Sequence, residues 1–474
     1  MSRNMQPTLF ERSPPSPSTI RLSLEGAASG SFWLADLPQR DAFPPYQGEH
    51  EVDLAIVGAG YLGLWTAILA KERDPLRGVT VLEAQRVGWA ASGRNGGFCE
   101  ASLTHGEENG RKRWPEEFEQ LQALGLRNLD ELEATIARYH IDCDFERSGC
   151  LTVAVEPYQD AQLRGEDYLP MEAIRAEVNS PTYLSGQWDR HTTAMLHPGK
   201  LVAELARVAT ELGVRIHEHS AVAAIAPSSR ADQGRIRLKT AAGTLSAKRV
   251  VLATNAFPSL LRRYRLYTVP VYDYVLMTEP LTPAQLESIG WRNRQGIADM
   301  ANQFHYYRLS DDNRILFGGY DAVYRYGKDV DQAYDQRQES FERLASHFFT
   351  TFPQLDGLKF SHRWGGAIDT STRFCAFFGS ARGGDIAHAA GFTGLGVGAT
   401  RFAANVLLDK IDRLNTERTR LRMVREMPPP FPPEPFAFLG IQATRWSLNR
   451  ADHHGGKRNL FLRALDAVGL GFDS

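Results

Sequence analysis

Three glycines at fixed spacing follow the first strongly apolar run of the sequence. Residues 52–57 (VDLAIV) have the composition of a buried strand, and residues 62–71 have that of the helix after it. Between them, Gly58 permits a tight turn and Gly60 lets a pyrophosphate approach the backbone, while Gly63 allows the helix to pack closely on the strand. The pattern predicts a dinucleotide held at a helix N-terminus.

A second strand and an acidic residue strengthen this prediction. Residues 79–83 (VTVLE) are typical of the next parallel strand, and Glu83 ends it where a carboxylate can bond ribose hydroxyls. The glycine motif alone is a weak signal, but strand, turn, helix, strand and acid in this order form a specific one. The residues predicted to contact the nucleotide here are Gly58, Ala59, Gly60, Tyr61, Leu62, Gly63, Glu83 and Ala84.

Two further glycine clusters favour FAD over NAD. Residues 91–98 (ASGRNGGF) follow the second strand, and residues 390–397 (AGFTGLGV) precede a long predicted helix. Either cluster alone is equally consistent with a plain turn. A helix N-terminus at the second cluster would stabilise negative charge on a reduced flavin. The predicted contacts are Ala91, Ser92, Gly93, Arg94, Asn95, Gly96, Gly97, Phe98, Gly391, Phe392, Thr393, Gly394, Leu395, Gly396 and Val397.

Buried parallel strands alternate along the chain with aromatic, β-branched segments typical of antiparallel sheets. We therefore predict an α/β fold, in which a Rossmann-like FAD-binding domain with a parallel sheet is interleaved with a mostly antiparallel-β (α+β) substrate domain. The FAD-binding domain is assigned residues 46–148, 198–266 and 358–412, and the substrate domain residues 149–197 and 267–357. Residues 1–45 are expected to be a loosely ordered lead-in, and residues 413–474 a Pro-rich connector and tail.

Composition excludes several classes of protein. The 474 residues carry a formal net charge of −2, so no basic surface is expected to bind nucleic acid. The apolar residues 52–70 contain Asp53 and three glycines, which argues against a membrane span. Four cysteines without metal-ligand spacing predict reduced thiols in the cytoplasm and no metal site. His453 and His454 are expected to be solvated. The excess of Arg over Lys indicates a GC-rich bacterial genome. The sequence leaves the oligomeric state open.

Six separated motifs occur in the order found in one known family. They are the glycine motif, Glu83, residues 92–97, residues 250–256 (VVLATNA), residues 364–366 (WGG) and residues 391–396. Over residues 30–412 the chain resembles the FAD-dependent D-amino-acid oxidase/sarcosine oxidase (DAO) superfamily, especially the amine-oxidising branch typified by gamma-glutamylputrescine oxidase. The resemblance implies extended FAD in the first domain, with further contacts at Val222, Ala253, Thr254, Asn255 and Gly366.

The chain departs from the family pattern at three kinds of position. Relatives with covalent flavin use a His where this loop has Ala90 and Ala91, or a Cys near the position of Gly366, so the resemblance implies noncovalent FAD. Gly398 stands where sarcosine oxidases carry a lysine that binds the substrate carboxylate, which weakens an α-amino-acid substrate. Residues 316–318 (LFG) stand where the same branch has an oxygen-activating lysine, which leaves the electron acceptor open.

Aromatic residues on predicted strands are the candidates for substrate contact. Tyr272 and Tyr274 share one strand face, and His305 and Tyr307 share another, with Trp364 as a fifth candidate catalytic residue. Core packing explains such side chains as well as a binding site does. In a site they would attract a cationic amine and favour its neutral form. Arg308 or Arg94 would either meet an acidic group of the substrate or form salt bridges.

These observations predict an enzyme that oxidises a C–N bond in a small primary or secondary amine, such as a polyamine derivative or another omega-substituted amine. Hydride would pass to flavin N5, giving an imine that is hydrolysed to an aldehyde, and molecular oxygen would be reduced to H2O2. Three alternatives stay open: a dehydrogenase that passes electrons to another acceptor, an α-amino-acid or hydroxy-acid oxidase, and a noncatalytic flavin-bound subunit.

Overall fold

The computed structural model describes residues 6–226, 234–467 and 469–470; the other parts of the predicted lead-in, FAD-binding domain and tail lie outside the described residues. The strands are β1 (Ala28–Ser29), β2 (Gly48–Val57), β3 (Val79–Leu82), β4 (Phe98–Glu100), β5 (Cys150–Ala154), β6 (Tyr168–Pro170), β7 (Ser185–Asp189), β8 (Thr193–Met195), β9 (Arg215–His217), β10 (Ala224–Ile225), β11 (Ile236–Lys239), β12 (Gly243–Leu252), β13 (Val269–Thr278), β14 (Gly296–Asp299), β15 (His305–Leu309), β16 (Ile315–Gly319), β17 (Val323–Tyr324), β18 (Phe360–Thr370), β19 (Phe377–Ala381) and β20 (Ile386–Ala390).

The helices are α1 (Leu9–Arg12), α2 (Pro17–Leu24), α3 (Phe32–Ala35), α4 (Tyr61–Arg73), α5 (Glu107–Arg113), α6 (Phe118–Arg138), α7 (Pro157–Asp160), α8 (Met171–Glu177), α9 (Pro198–Glu211), α10 (Pro283–Ile289), α11 (Gln338–Thr351), α12 (Gly396–Ile411), α13 (Glu417–Arg420), α14 (Arg422–Arg425), α15 (Phe436–Asp452) and α16 (Leu460–Ala467).

The parallel sheet is built around β2, whose apolar residues are buried on both faces. It has the strand order β10-β11-β12-β2-β3-β9, with β20 beside the end of β12 and β19 beside β20. β12, β2, β3 and β9 run parallel, as does β20 against β12, whereas β10, β11 and β19 are antiparallel additions. Helices α4 and α12 pack together over this sheet in one apolar core. The predicted α/β fold with a parallel sheet is confirmed.

A mostly antiparallel sheet, called the mixed sheet below, forms the second layer. Its order is β1-β18-β13-β16-β15-β14-β5-β7-β6, with β17 beside β13. Helix α11 covers one face with Phe341 and Phe348, in a core that includes Phe317 and Tyr307. One assigned boundary needs correction, because β18 hydrogen-bonds to β13 along its whole length and belongs to this sheet, not to the predicted FAD-binding segment 358–412.

The described part of the N-terminal lead-in is packed onto the protein, which corrects the expectation of loose order. Its helices α1–α3 bury Phe10 and Trp33, and β1 pairs with β18. Trp33 Nε1 donates to the carbonyl of Asn95 at 2.9 Å, and Ser31 Oγ donates to that of Gly93 at 2.6 Å. The lead-in therefore supports the glycine-rich loop 91–98 from behind.

The C-terminal region contains two helices after an irregular Pro-rich connector. Residues 427–433 form neither helix nor strand, and the carbonyl of Pro429 accepts a hydrogen bond from Thr372 Oγ1 at 2.6 Å. We call residues 431–467, which include α15 and α16, the C-terminal cap. His453 was wrongly predicted to be solvated: its ring is buried, and Nε2 lies 2.9 Å from Glu11 Oε2.

No helix within the described ranges has the length and apolarity needed to cross a membrane. The four cysteines are free, and three of them are buried. Burial raises the pKa of Cys99, Cys143, Cys150 and Cys375, so all four favour the protonated thiol.

Two glycine-to-alanine substitutions in helices should have opposite effects. A Cβ at Gly63 would lie 1.9 Å from the carbonyl oxygen of Gly58, whereas one at Gly440 in α15 meets nothing within 4 Å. Gly63→Ala should destabilise the protein by about 1–3 kcal/mol through overpacking, despite the higher helix propensity of alanine. Gly440→Ala should stabilise it by about 1 kcal/mol. Thermal unfolding followed by circular dichroism measures both, and equal midpoints would contradict the close helix–strand contact.

Candidate active site

A large cavity lies between the parallel sheet, the mixed sheet and the C-terminal cap. Its volume is about 1270 Å³, and its wall is mostly apolar. Typical small-ligand pockets are roughly 300–1,000 Å³. The cavity therefore has room for an extended dinucleotide together with a second molecule.

The glycine turn after β2 forms one end of the cavity. Gly58 has a φ of +106°, which is accessible to glycine and strained for other residues, and Gly60 directly precedes α4. Ser92 Oγ accepts a hydrogen bond from the backbone N–H of Tyr61 at 3.0 Å. A Cβ at Gly60 would lie 2.8 Å from that same oxygen and would have to displace the Ser92 hydroxyl that caps the turn. The N-terminus of α4 is thus kept open toward the cavity, where it favours negative charge.

Glu83 is buried beside this turn. One carboxylate oxygen accepts the N–H of Ala59 at 2.7 Å, and the other accepts Gln85 N–H and Trp89 Nε1–H, each at 2.9 Å. Burial raises the pKa of Glu83, while these hydrogen bonds lower it. The carboxylate lines the cavity, so a hydroxyl group of a bound ligand can reach it.

Two buried polar atoms in the loop after β12 have no hydrogen-bond partner in the described part of the chain. They are Thr254 Oγ1 and Asn255 Oδ1, and both residues line the cavity. Asn255 has a φ of +48°, in the left-handed region that few residues other than glycine and asparagine adopt. Because unsatisfied buried groups are costly, these atoms fit a polar cofactor that runs along this wall.

The loop before α12 forms the opposite end. Gly394 and Gly396 have open space where a Cβ would point, so the cavity reaches their backbone. Asp369 accepts the N–H of Gly391 at 2.6 Å and holds this loop in place. Burial raises the pKa of Asp369 to about 7. The N-terminus of α12, which is predicted to meet the far edge of a flavin, thus opens on this end of the cavity.

Most residues predicted to bind the cofactor line this one cavity. They are Gly58, Gly60, Tyr61, Leu62, Glu83, Ala84, Ala91, Ser92, Arg94, Asn95, Gly96, Phe98, Val222, Ala253, Thr254, Asn255, Gly366, Phe392, Thr393, Gly394, Leu395, Gly396 and Val397. Ala59, Gly63, Gly93, Gly97 and Gly391 do not line it. Four of them belong to turns around the cavity, and Gly63 lies in α4 where the helix packs on the turn after β2. At Gly97, for example, a Cβ would lie 2.3 Å from the carbonyl oxygen of Leu196.

The predicted catalytic residues require a correction. Tyr272 lines the cavity, but Tyr274, His305, Tyr307 and Trp364 do not. Tyr274 and Tyr307 lie in the core under α11, where Tyr307 OH and Tyr183 OH are 2.8 Å apart. His305 is buried in a chain in which Nδ1 lies 2.6 Å from Asp299 Oδ2 and Nε2 lies 2.8 Å from His347 Nδ1.

Trp364 lies on the face of the mixed sheet opposite the core under α11, but it does not line the cavity. It supports the glycine-rich loop 91–98 instead. Its Nε1 donates to the carbonyl of Arg94 at 2.9 Å. The choice of these residues was wrong for a physical reason. Side chains alternate between the two faces of a strand, but the alternation does not say which face meets a ligand. In this sheet both faces are buried, and the aromatic side chains mostly fill the core.

The cavity face of the mixed sheet instead presents Asp273 and Tyr306. Asp273 in β13 pairs with Gly366 in β18, and the ring of Tyr306 lies where a Cβ on Gly96 would be only 2.7 Å away. Tyr306 OH donates to Asp273 Oδ2 at 2.5 Å. Burial raises the pKa of Asp273 to about 6, although the bond from Tyr306 lowers it. The sequence signal that could have pointed to this pair is the acidic residue Asp273 between two tyrosines of β13.

Neither arginine considered for an acidic substrate group has an uncommitted guanidinium. Arg94 forms an ion pair with Asp335 and donates from Nε to Trp89 O at 2.8 Å. Arg308 is buried and donates to the carbonyl of Leu196 at 2.5 Å. At Gly398 a Cβ would lie 2.3 Å from the carbonyl oxygen of Glu100, so the backbone packing leaves no space for a lysine there.

Two threonine-to-valine variants test whether the cavity wall holds FAD. Thr254→Val removes an unpartnered hydroxyl from the cavity, and Thr80→Val removes an equally unpartnered one from β3, outside it. Loss of one hydrogen bond to the cofactor should raise the FAD dissociation constant about tenfold in Thr254→Val. Flavin fluorescence titration of apoprotein measures this constant. Unchanged affinity in Thr254→Val, or an equal loss in Thr80→Val, would contradict the placement.

Comparison with known proteins agrees with this geometry. The profile of the FAD dependent oxidoreductase family matches residues 53–409 and ends before the C-terminal cap. Gamma-glutamylputrescine oxidoreductase of Escherichia coli is 30% identical over 401 residues, covering 80% of this chain and 88% of that protein. The probable oxidoreductase OrdL of Haemophilus influenzae is 28% identical over 405 residues, with coverage of 80% and 88%.

Solved structures show the same fold. Glycine oxidase from Geobacillus kaustophilus superposes with a TM-score of 0.62 at 18% identity, over 78% of this chain and 96% of that one. The resemblance to the DAO superfamily and to its gamma-glutamylputrescine oxidase-like branch is confirmed. The chain belongs to the FAD-dependent oxidoreductase (DAO) family and is an enzyme with FAD as its cofactor.

Proposed function

We propose that the protein oxidises a C–N bond in a small amine and uses molecular oxygen as the electron acceptor. FAD, when bound, supplies the chemistry: it accepts a hydride from the carbon next to nitrogen and passes two electrons to oxygen, giving H2O2 and an imine that water hydrolyses to a carbonyl. The observation that carries the proposal is the carboxyl group of Asp273, which faces the cavity between the two loops assigned to the flavin.

Asp273 is suited to bind an ammonium group. The cavity wall around it is apolar, with Val271 and Val275 on the same face of β13. A carboxylate in such surroundings attracts a cation strongly because little water screens the charge. The aromatic ring of Tyr306 beside it adds a favourable surface for a cationic substrate.

Asp273 also provides a place for the substrate's proton. Hydride leaves a neutral amine more readily than an ammonium, so one proton has to leave the nitrogen first. Asp273 Oδ1 accepts the N–H of Tyr274 at 2.8 Å, Oδ2 accepts Tyr306 OH, and the backbone of Gly319 also stabilises the carboxylate, which leaves about one of its four lone-pair sites for the amine. The raised pKa makes this carboxylate a better proton acceptor than an exposed aspartate.

The relative from Escherichia coli supports the substrate class. Its name describes an oxidoreductase of gamma-glutamylputrescine, a polyamine derivative with an amine at one end. A polyamine derivative or another omega-substituted amine is therefore our proposed substrate for this chain. We place the reaction in the cytoplasm of a bacterium, in agreement with four free cysteines and bacterial relatives.

One observation favours a second candidate function, a dehydrogenase with another electron acceptor. Leu316 packs with Trp364 on the face of β16 directed toward the FAD side, and Gly318 lies under the ring of Tyr306. The strand therefore has no cation at the position where oxidases of the resembled branch use a lysine. Peroxide production separates the two functions.

An amine panel tests the proposed reaction. Added without oxygen to purified holoprotein, polyamines, their acylated forms or other omega-substituted amines should bleach the flavin absorbance. In air, one H2O2 should form for each amine consumed, measured with a coupled peroxidase. Bleaching without peroxide would support the dehydrogenase, and a flavin that no amine bleaches would contradict both functions.

The pH dependence of kcat/KM tests Asp273. Protonation of its carboxylate abolishes the charge that binds the amine, so activity should fall as pH decreases through about 6. Tyr306→Phe removes a hydrogen bond that stabilises the carboxylate and should move this acidic limb to higher pH. Asp273→Asn should remove the limb and lower kcat/KM about 100-fold.

Asp329→Asn is the matched control, because Asp329 is exposed and outside the cavity. Its pH profile should equal that of the wild type. An acidic limb that persists in Asp273→Asn would assign the titration to another group and contradict the proposed role.

A further inference from the structure

The C-terminal cap forms a wall of the cavity that the family match does not include. Helix α15 contributes Ala437, Gly440, Ile441, Thr444 and Arg445 to the lining. The residues that match the family end at position 409, so this wall is a feature of this chain's C-terminal region.

Polar contacts hold the cap to the rest of the protein at several points. Gln442 Nε2 donates to Tyr324 O in β17 at 3.3 Å, and Tyr324 OH donates to Glu434. At the other end of α15, Asp452 accepts Asn302 Nδ2 at 2.7 Å. These contacts place side chains of α15 against the mixed sheet and the loop after β14.

Arg445 is a cation in this wall. Its Nη1 donates to Gln442 Oε1 at 3.2 Å, while its Nε is buried and has no hydrogen-bond partner among the residues that the structure describes. Within the described ranges no carboxylate forms an ion pair with it. Arg445 is half-buried, and its guanidinium keeps donors that can bond an anion in the cavity.

The nearest charges do not neutralise Arg445. Burial lowers its pKa, Asp321 raises it, and Arg337 and Arg343 lower it further. Asp321 already accepts Arg337 Nη1 at 2.9 Å and Arg343 Nη1 at 2.5 Å. Its carboxylate is therefore committed to two other arginines, and the region around Arg445 keeps a positive excess.

We propose that Arg445 binds an anionic group, most simply a carboxylate, at the end of the substrate opposite the reacting amine. The proposal rests on the proposed function for the position of the amine at Asp273. Both Asp273 and Arg445 lie near Asp321, whose charge acts on each. The site thus selects amines that carry a carboxylate along their chain over simple alkylamines. This is the acidic-group contact for which the sequence had offered only Arg94 and Arg308.

The first test measures binding without turnover. Valerate, which has a carboxylate and no amine, is titrated into the holoenzyme, and the change in flavin absorbance gives its dissociation constant. Arg445→Gln should raise this constant about 10- to 100-fold, the effect of losing charge-assisted hydrogen bonds. Arg445→Lys, which keeps the charge, should recover part of the affinity. Arg450→Gln is the matched control, since Arg450 lies on the same helix with its guanidinium over Trp446.

The second test measures selectivity. The ratio of kcat/KM for δ-aminovalerate to that for its carboxamide should fall about tenfold or more in Arg445→Gln and stay unchanged in Arg450→Gln. If Arg445→Gln changes neither the dissociation constant of valerate nor this ratio of kcat/KM values, the proposal is overturned. If no amine reduces the flavin, the proposed function fails, but the valerate titration still decides the role of Arg445.

Discussion

The close approach of α4 to the turn after β2 determines where everything else in the site lies. Gly63 has no side chain, so the helix packs directly on the carbonyl of Gly58, and its N-terminus is brought to the edge of the parallel sheet. The same turn places the N–H of Ala59 on Glu83 and that of Tyr61 on Ser92. A displaced helix would move all of these groups together, which is why a single missing methyl group matters so much here.

The cavity that this packing creates is mostly apolar, and its few charged groups are therefore distinctive. Burial raises the pKa of Asp273 and Asp369 and lowers that of Arg445, which disfavours the charged form of each of these three groups. Each of these groups has a different arrangement of partners. Asp369 accepts a backbone N–H of the loop before α12, Asp273 accepts Tyr306 OH, and Arg445 donates to Gln442.

The substrate side shows where inference from sequence stops. The alternation in β13 correctly separates Tyr272 and Tyr274 from Asp273, but the aromatic side chains are drawn to the core under α11. When both faces of a sheet are buried, their side chains do not differ in hydropathy. The sequence then does not say which face of the strand meets the core and which meets the cavity, and packing decides this. The C-terminal cap is a similar case, because the Pro-rich run before α15 predicts a connector without saying which surface the residues after it cover.

By itself, the sequence determined the βαβ unit, the glycine turns of the predicted dinucleotide site and the alternation of parallel and antiparallel segments. Those features are local, because glycine spacing and strand or helix periodicity depend only on neighbouring residues. Only the tertiary structure decided that β18 joins the mixed sheet, that Asp273 and Tyr306 face the cavity, and that Arg445 reaches it from the far end of the chain. Those features join residues distant in sequence, and they follow from which apolar surfaces cover each other when the chain folds.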